Sequence, residues 1–406
     1  MHKLIAQVKN YDWGASSPAS LVKDIYVTNV TLLDGTNEQL HKIQTEKAWA
    51  EIWAGTHPSG MARLITGEPL TQLTKGELSF LFKILSIEKC LSIQVHPDAA
   101  WAAKLHAQDP KNYPDPCPKP EVAIAIDFLE AFSGYVDAAE LKENLTAYPT
   151  FFSLLTKSHP ELETKWDSHP EHLKRLLHSL MSLSSEGVRE FVDALVGDCR
   201  KLQGKNFRSE VILRLFSQFQ HDVGILVSLT LKLVRLAPLE YLALDAKVPH
   251  AYIAGNVVEC MAPSDNVIRL GLTPKFKDAK AFLEGFDYKA EAGWKNKPTT
   301  KKYKDSDLQI LEFPNPFGEF FTLVLLTRSQ GGAGGPESDG WEIEATTPTI
   351  LFNLGESVDV NEELIRRVHF FVAEPGKLEI EAEEEDVRLF IVGKNLKISP
   401  FVSTKK

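Results

Sequence analysis

The feature that most constrains the fold is a change in hydrophobic period along the chain. Before residue 137, apolar residues form strand-length runs or alternate, as in Leu81–Ile87 and residues 91–96. From 137 to 230 they recur at helical spacing, and short strand-like segments return from residue 231 onward. Short strands separated by turns are typical of β-sandwiches and barrels. We therefore predict a mainly β protein that carries an α-helical insertion.

This pattern divides the 406 residues into three units. The first is a discontinuous β domain formed by residues 1–136 and 231–300. The helical insert covers residues 137–230, and a second β domain covers residues 301–406. Within that second domain we expect a glycine-rich loop at residues 331–335.

Charge and cysteine content exclude several functional classes. The formal net charge is −10, so we expect neither a nucleic acid nor an anionic membrane as a partner. The four cysteines form no CxxC pair, which disfavours a zinc knuckle or a disulfide framework. The longest apolar stretch contains Lys232 and Arg235, and the first residues lack a signal-peptide core. A cytoplasmic protein is the resulting expectation.

Four residues offer nitrogen and oxygen ligands for a metal ion. Gln94 and His96 lie on one face of a strand because they are two residues apart. Glu121 opens the strand after a proline-rich loop, and His250 follows Pro249 near the end of another strand. A set without sulfur suits a catalytic zinc site. Taken one at a time, each residue is also compatible with an ordinary polar strand face or turn. His57 lies in a similar loop without an evident partner.

A charged segment follows the fourth of these residues. Glu259, Asp265 and Arg269 lie within eleven residues, and Lys275 comes shortly after them. Basic side chains in an acidic protein can hold a phosphate or stabilise an oxyanion. A solvated surface loop is the alternative interpretation.

These segments occur in one order, and together the chain resembles the type I phosphomannose isomerases. The matching stretches are residues 11–14, 50–60, 80–85, 91–98, 109–115, 119–121 and 249–278.

The resemblance implies a cupin-type β catalytic domain, a helical insert and a second domain that resembles a jelly roll. It implies one zinc ion per chain, held by Gln94, His96, Glu121 and His250. The implied reaction interconverts mannose 6-phosphate and fructose 6-phosphate through a cis-enediol, and so supplies carbohydrate metabolism and GDP-mannose. The sugar phosphate would be the only partner, and we expect a monomer.

Seven residues receive roles on this basis. We predict that Arg269 stabilises the negative charge of the enediolate and that Lys119 assists proton movement. Either Glu259 or Asp265 would be the catalytic base. The phosphate group would contact Lys83, Ser92 and Lys275.

Pro118 departs from the family pattern, which has a histidine before the lysine. Proline can act neither as an acid nor as a base, so a scheme using that histidine cannot operate here. One alternative is therefore a non-catalytic or weakened cupin-type protein that binds a metal or a sugar phosphate. Another is a different metal-dependent cupin enzyme, such as an iron dioxygenase, which metal analysis would distinguish.

Overall fold

Most of the regular structure consists of antiparallel β-sheet. The computed structural model describes residues 1–16, 20–34, 48–163, 169–288, 295–302, 307–328, 339–382 and 386–402. The loop expected at residues 331–335 lies outside these ranges. Among the described residues, no helix is long and apolar enough to cross a membrane.

The first β unit contains a ten-stranded sheet with the order β12-β9-β7-β10-β5-β3-β2. Outside this order, β8 pairs with β7, β6 pairs with β10, and β11 pairs with β6. The strands of this part of the chain are β1 His2–Ile5, β2 Gln7–Lys9, β3 Glu51–Ala54, β4 Arg63–Leu64, β5 Leu81–Ile87, β6 Ile93–Val95, β7 Glu121–Tyr135, β8 Leu231–Leu236, β9 Tyr241–Leu244, β10 His250–Met261, β11 Ile268–Gly271 and β12 Lys295–Asn296.

The carboxyl-terminal part forms two further sheets. Its strands are β13 Thr299–Lys302, β14 Leu308–Glu312, β15 Thr322–Arg328, β16 Asp339–Ala345, β17 Thr349–Asn353, β18 Val358–Val360, β19 Glu363–Ile365, β20 Phe370–Ala373, β21 Gly376–Glu381, β22 Arg388–Gly393 and β23 Lys397–Val402. One sheet has the order β13-β14-β15-β22-β17-β20-β1-β4, and the other has the order β19-β18-β21-β16-β23. Because β1 pairs with β20, the start of the chain extends the carboxyl-terminal sheet.

The helices lie mainly in the insert. Their bounds are α1 Leu21–Asp34, α2 Leu70–Thr74, α3 Ala99–Gln108, α4 Ala138–Thr146, α5 Pro149–Ser158, α6 His169–Met181, α7 Ser185–Lys201, α8 Phe207–Phe219, α9 Gly224–Val227 and α10 Ala279–Glu284. Side-chain caps explain where several of them begin. Asp137, Ser184 and Asn206 each accept a hydrogen bond from a backbone N–H of the first turn.

Helix α1 illustrates where local preference is overruled. Residues 21–34 are rich in valine, isoleucine and threonine, which favour strands. Val22 and Ile25 are nevertheless fully buried against the sheets, and this burial stabilises the helix. The sequence pattern alone did not predict it.

Ion pairs to a buried carboxylate join the insert to the sheet. Glu130 on β7 is 7% exposed and contacts Arg214 on α8 and Arg235 on β8. These contacts join α8 of the insert to β7 and β8. The site described next lies where β7 and β10 begin.

Candidate active site

Three buried ligand groups converge where β7 and β10 begin. The imidazole nitrogens of His96 and His250 and a carboxylate oxygen of Glu121 lie within 4.8 Å of one another. Nε2 of His250 is 3.1 Å from Glu121 Oε1, and Nε2 of His96 is 3.4 Å from Glu121 Oε2. The amide of Gln94 is 3.3 Å from His250 Nε2, because β6 pairs with β10 at this position. The structure thus brings all four predicted metal ligands together.

The curvature of the sheet produces this convergence. Glu121 pairs with Met261 and His250 pairs with Ser133, so the register places Glu121 and His250 at opposite ends of two antiparallel strands. In a flat sheet, the twelve residues of β10 would separate them by about 36 Å at roughly 3.3 Å per residue. Two register shifts in the β7–β10 pairing mark where the sheet bends.

Hydrogen bonds fix the orientation of both histidines. Nδ1 of His96 lies 2.8 Å from the carbonyl oxygen of Asn266, and Nδ1 of His250 lies 2.9 Å from that of Val248. A carbonyl can only accept, so each Nδ1 carries the proton and each Nε2 is left as a ligand. Burial lowers the pKa of His96 to about 4, which keeps this imidazole neutral at physiological pH.

The donor set fits a zinc ion. Nε2 of His96 and Oε2 of Glu121 are buried, and neither has a hydrogen-bond partner among the described residues. Such orphaned groups are costly unless another ligand satisfies them. The hydroxyl of Tyr252 donates to Glu121 Oε1 at 2.8 Å and so helps to fix the orientation of the carboxylate. Imidazole, carboxylate and amide ligands suit zinc with an open position for substrate.

A cavity of about 430 Å³ opens beside these ligands. Its lining includes the four residues with predicted catalytic roles and the three predicted to bind phosphate, namely Lys83, Ser92, Lys119, Glu259, Asp265, Arg269 and Lys275. The seven residues with predicted catalytic or phosphate-binding roles therefore surround one cavity, which Gln94 also lines. Their individual roles remain predictions.

Lys83 differs in its surroundings from the other predicted phosphate contacts. It is 5% exposed, and its ammonium lies 2.8 Å from Glu259 Oε2 and 3.9 Å from Glu51 Oε2. These two carboxylates hold the pKa of Lys83 above its usual value despite burial. Its charge is already compensated within the protein, which favours a role as the partner of Glu259.

Arg269 offers the opposite environment. Its guanidinium lines the cavity and has no carboxylate partner among the described residues. Burial lowers its pKa, but a guanidinium remains charged at neutral pH. β11 places Arg269 directly opposite Gln94. A partly buried, unpaired cation next to the metal ligands is suited to an anionic substrate group.

Lys275 and Ser92 line the same cavity as Arg269. The ammonium of Lys275 lies 5.7 Å from the centre of the Tyr11 ring. No carboxylate pairs with it in the described part of the chain. Arg269, Lys275 and Ser92 therefore provide two unpaired cations and a hydroxyl for a phosphate.

The two candidate bases also differ. Glu259 is 4% exposed, and burial raises its pKa, while the charge of Lys83 opposes the increase. Asp265 lies nearer the solvent, and its Oδ2 is 3.3 Å from the Ser59 hydroxyl and 3.6 Å from His57 Nε2. Both carboxylates line the cavity, so the geometry is compatible with either of them as proton acceptor.

Sequence reasoning missed Glu51 and set His57 aside. Glu51 begins the fully buried strand β3 and receives a hydrogen bond from Trp53 Nε1. A charged residue in such an apolar strand was the available signal. His57 did have a partner, Asp265, but it comes from a segment 208 residues away.

The loop of residues 109–120 contains Pro118 and leads into Glu121. Nζ of Lys119 lies 3.8 Å from Glu121 Oε2, so Lys119 faces the metal ligands although Pro118 carries no titratable group. The Tyr113 hydroxyl donates to Asp278 at 2.9 Å, and the N–H of Asp278 donates to the carbonyl of Arg269 at 3.2 Å. The loop is thereby connected to the strand that carries Arg269.

Comparison with known proteins gives a consistent result. Residues 1–138 match the family described as phosphomannose isomerase type I, catalytic domain. The mannose-6-phosphate isomerase of Saccharomyces cerevisiae is 34% identical over 426 residues, covering 95% of this chain and 96% of that protein. The mannose-6-phosphate isomerase of Eremothecium gossypii is 34% identical over 431 residues, with the same coverage of 95% and 96%.

Solved structures agree with these sequence matches. The mannose 6-phosphate isomerase from Salmonella typhimurium, bound to fructose 6-phosphate and zinc, has a TM-score of 0.73 and 26% identity to this chain. The superposition covers 97% of this chain and 99% of that one. This similarity confirms the predicted mainly β, cupin-type fold with its helices.

Proposed function

The chain belongs to the type I phosphomannose isomerases, and we propose that it interconverts mannose 6-phosphate and fructose 6-phosphate in the cavity beside His96, Glu121 and His250. The carrying observation is the juxtaposition of this buried ligand trio with the unpaired guanidinium of Arg269. A metal ion would contact the sugar oxygens of a sugar phosphate, and a cation beside it would bind an anionic group of the same substrate. The enzyme relatives support this function over a purely binding protein.

Aldose–ketose isomerisation moves one proton between C2 and C1. A base removes the proton from the carbon beside the carbonyl, and the resulting cis-enediolate carries negative charge on oxygen. A hydroxyl proton moves between O2 and O1, and the carbon-bound proton returns to the other carbon. Zinc, held by Gln94, His96, Glu121 and His250, would supply a Lewis acid for the substrate oxygens.

The chain's own residues divide the remaining work. Glu259 or Asp265 accepts the proton from carbon and returns it, since both carboxylates line the cavity. Lys119 orients a hydroxyl or moves its proton, and Arg269 stabilises the negative oxygen. Lys83 favours the ionised form of Glu259, because its ammonium lies 2.8 Å from that carboxylate and opposes the increase of its pKa by burial.

Polar side chains of the cavity wall would anchor the phosphate. Ser92 and Lys275 are suited to this contact, with Arg269 available as a shared partner. Binding energy from this remote group positions C1 and C2 against the base. In this proposal Lys83 contributes to the phosphate only through the overall positive potential.

A coupled assay of mannose 6-phosphate conversion tests this proposal. The purified protein is measured as isolated, after removal of metal by a chelator, and after zinc is restored. We expect activity to disappear with the chelator and to return with zinc. A folded, zinc-loaded protein without activity would refute the isomerase proposal and favour the binding-protein alternative. Activity that requires iron would favour a different cupin enzyme.

A further inference from the structure

A hydrogen-bonded cluster centred on Asp115 joins the loop of residues 109–120 to the segment of residues 264–266. Oδ1 of Asp115 accepts from the Ser264 hydroxyl at 2.8 Å and from the Asn266 side-chain amide at 3.0 Å. Its Oδ2 accepts from the Asp265 N–H at 2.9 Å, and the Cys117 N–H donates to Oδ1 at 3.0 Å. One carboxylate thus receives four hydrogen bonds from two segments of chain.

Asn266 connects this cluster to the metal centre. Its side-chain amide nitrogen also lies 2.6 Å from the carbonyl oxygen of Asp115 and 3.0 Å from that of Cys117, so its two hydrogens are shared among three acceptors. Its own carbonyl accepts the Nδ1–H of His96 at 2.8 Å, and Asn266 is completely buried. The position of this carbonyl determines the direction in which Nε2 of His96 points.

The same cluster also fixes the backbone next to two residues that line the cavity, Asp265 and Lys119. Asp265 lies between Ser264 and Asn266, so its backbone is held at both neighbours and at its own N–H. On the other side of the cluster, the chain continues directly to Lys119 and Glu121. Asp115 itself does not line the cavity.

We propose that Asp115 is a positioning residue, which sets the orientation of His96 and the placement of Asp265 relative to Lys119 without touching zinc or sugar. This inference rests on the proposed function for its catalytic consequence, but its effect on metal affinity is independent of that function. Four donors face the carboxylate, so no neutral side chain of the same size can satisfy all of them.

The first experiment compares Asp115→Asn with the unaltered protein. Zinc affinity is measured by competition with a chromophoric chelator, and kcat and KM are measured at saturating zinc. We expect zinc affinity to fall about 10- to 100-fold, as for other residues that orient metal ligands, and kcat to fall while KM changes less than about threefold. Melting of the metal-free proteins shows whether the fold itself has been lost.

Asp109→Asn is the matched control. Asp109 lies on the same loop, and its carboxylate accepts from the N–H and side-chain amide of Asn112 at 3.2 and 2.7 Å. These bonds stay within the loop and do not reach residues 264–266. We expect zinc affinity and kcat to stay within about twofold of the unaltered protein.

Asn266→Ala provides a second route if Asp115→Asn does not fold. It keeps the carbonyl that contacts His96 but removes the amide that binds Asp115, so the same losses are expected. In the double variant the losses should be less than additive, since both changes break one network. Zinc affinity within twofold of normal in either folded single variant would overturn the proposal. If the unaltered protein binds zinc but has no isomerase activity, the zinc affinities of the variants still test whether Asp115 orients His96.

Discussion

Replacement of Lys83 by methionine is expected to destabilise the metal-free protein by about 3–5 kcal/mol, the usual cost of leaving one member of a buried ion pair unpaired. Lys83 and Glu259 are 5% and 4% exposed, and their charged atoms are 2.8 Å apart. Methionine has a similar length, so the loss of apolar packing is small. The cost arises because Glu259, and to a lesser degree Glu51 at 3.9 Å, loses its compensating charge.

The same variant should change the pH dependence of activity. Burial already raises the pKa of Glu259, and the Lys83 ammonium opposes that increase. Without the ammonium, the pKa of Glu259 rises further, so its ionised form is present only at higher pH. If Glu259 is the base, kcat/KM begins to fall at a higher pH as the solution is acidified, and the acid limb of the profile moves upward.

Urea unfolding of the metal-free proteins measures the first effect. Lys89→Met is the control, because Lys89 lies on the same cavity wall but pairs at 3.2 Å with Asp12, whose side chain is 81% exposed. A surface pair of this kind contributes about 0.2–1 kcal/mol. In the double variant Lys83→Met/Glu259→Gln, most of the lost stability should return, since the buried carboxylate is then neutral.

A different result would refute this reasoning. If Lys83→Met unfolds within 1 kcal/mol of the unaltered protein and only raises KM for the sugar phosphate, Lys83 contacts the phosphate, as first predicted. Full loss of stability in the double variant would show that the lysine acts through packing and not through charge.

Three other changes test the remaining parts of the site. Glu121→Gln should reduce zinc affinity by at least about 100-fold, measured by chelator competition, and unchanged affinity would remove Glu121 from the ligand set. Arg269→Ala should retain zinc but lose about 10²–10³ in kcat, measured by the coupled assay at saturating zinc, and normal turnover would exclude Arg269 from the mechanism. Pro118→His should change kcat by less than tenfold, because Lys119, Glu259 and Asp265 already face the cavity. A larger gain would show that Pro118 limits the enzyme.

Local pattern predicted the elements that surround the site. The apolar run Leu81–Ile87 is strand β5 with the predicted bounds, and the helical insert predicted from residue 137 begins with a helix at Ala138 because Asp137 caps it. Helix α1 lies outside the predicted helical insert and was not predicted, because its residues favour strands and it depends on burial. Helix α5 lies within the insert and begins with Pro149.

The candidate metal ligands were identified from the chemistry of their side chains more than from the hydrophobic pattern. Gln94 and His96 could be paired because a strand places residues two apart on one face, and the family resemblance supplied the four ligands together. Their convergence depends on the bending of β7 and β10, which no local signal encodes. The positions of Glu51, His57 and Asp115 were not predicted for the same reason, since their partners come from distant segments.

The sequence by itself determined the residue types, their local periods and hence a β protein with a helical insertion and a set of nitrogen and oxygen ligands. Only the tertiary structure decided which charges are free. Lys83 and Arg269 are both cations of the same cavity, but a carboxylate 176 residues away neutralises the first and none in the described chain neutralises the second. Whether a cation can bind substrate depends on the charges within a few ångströms of it, and those distances exist only after the chain has folded.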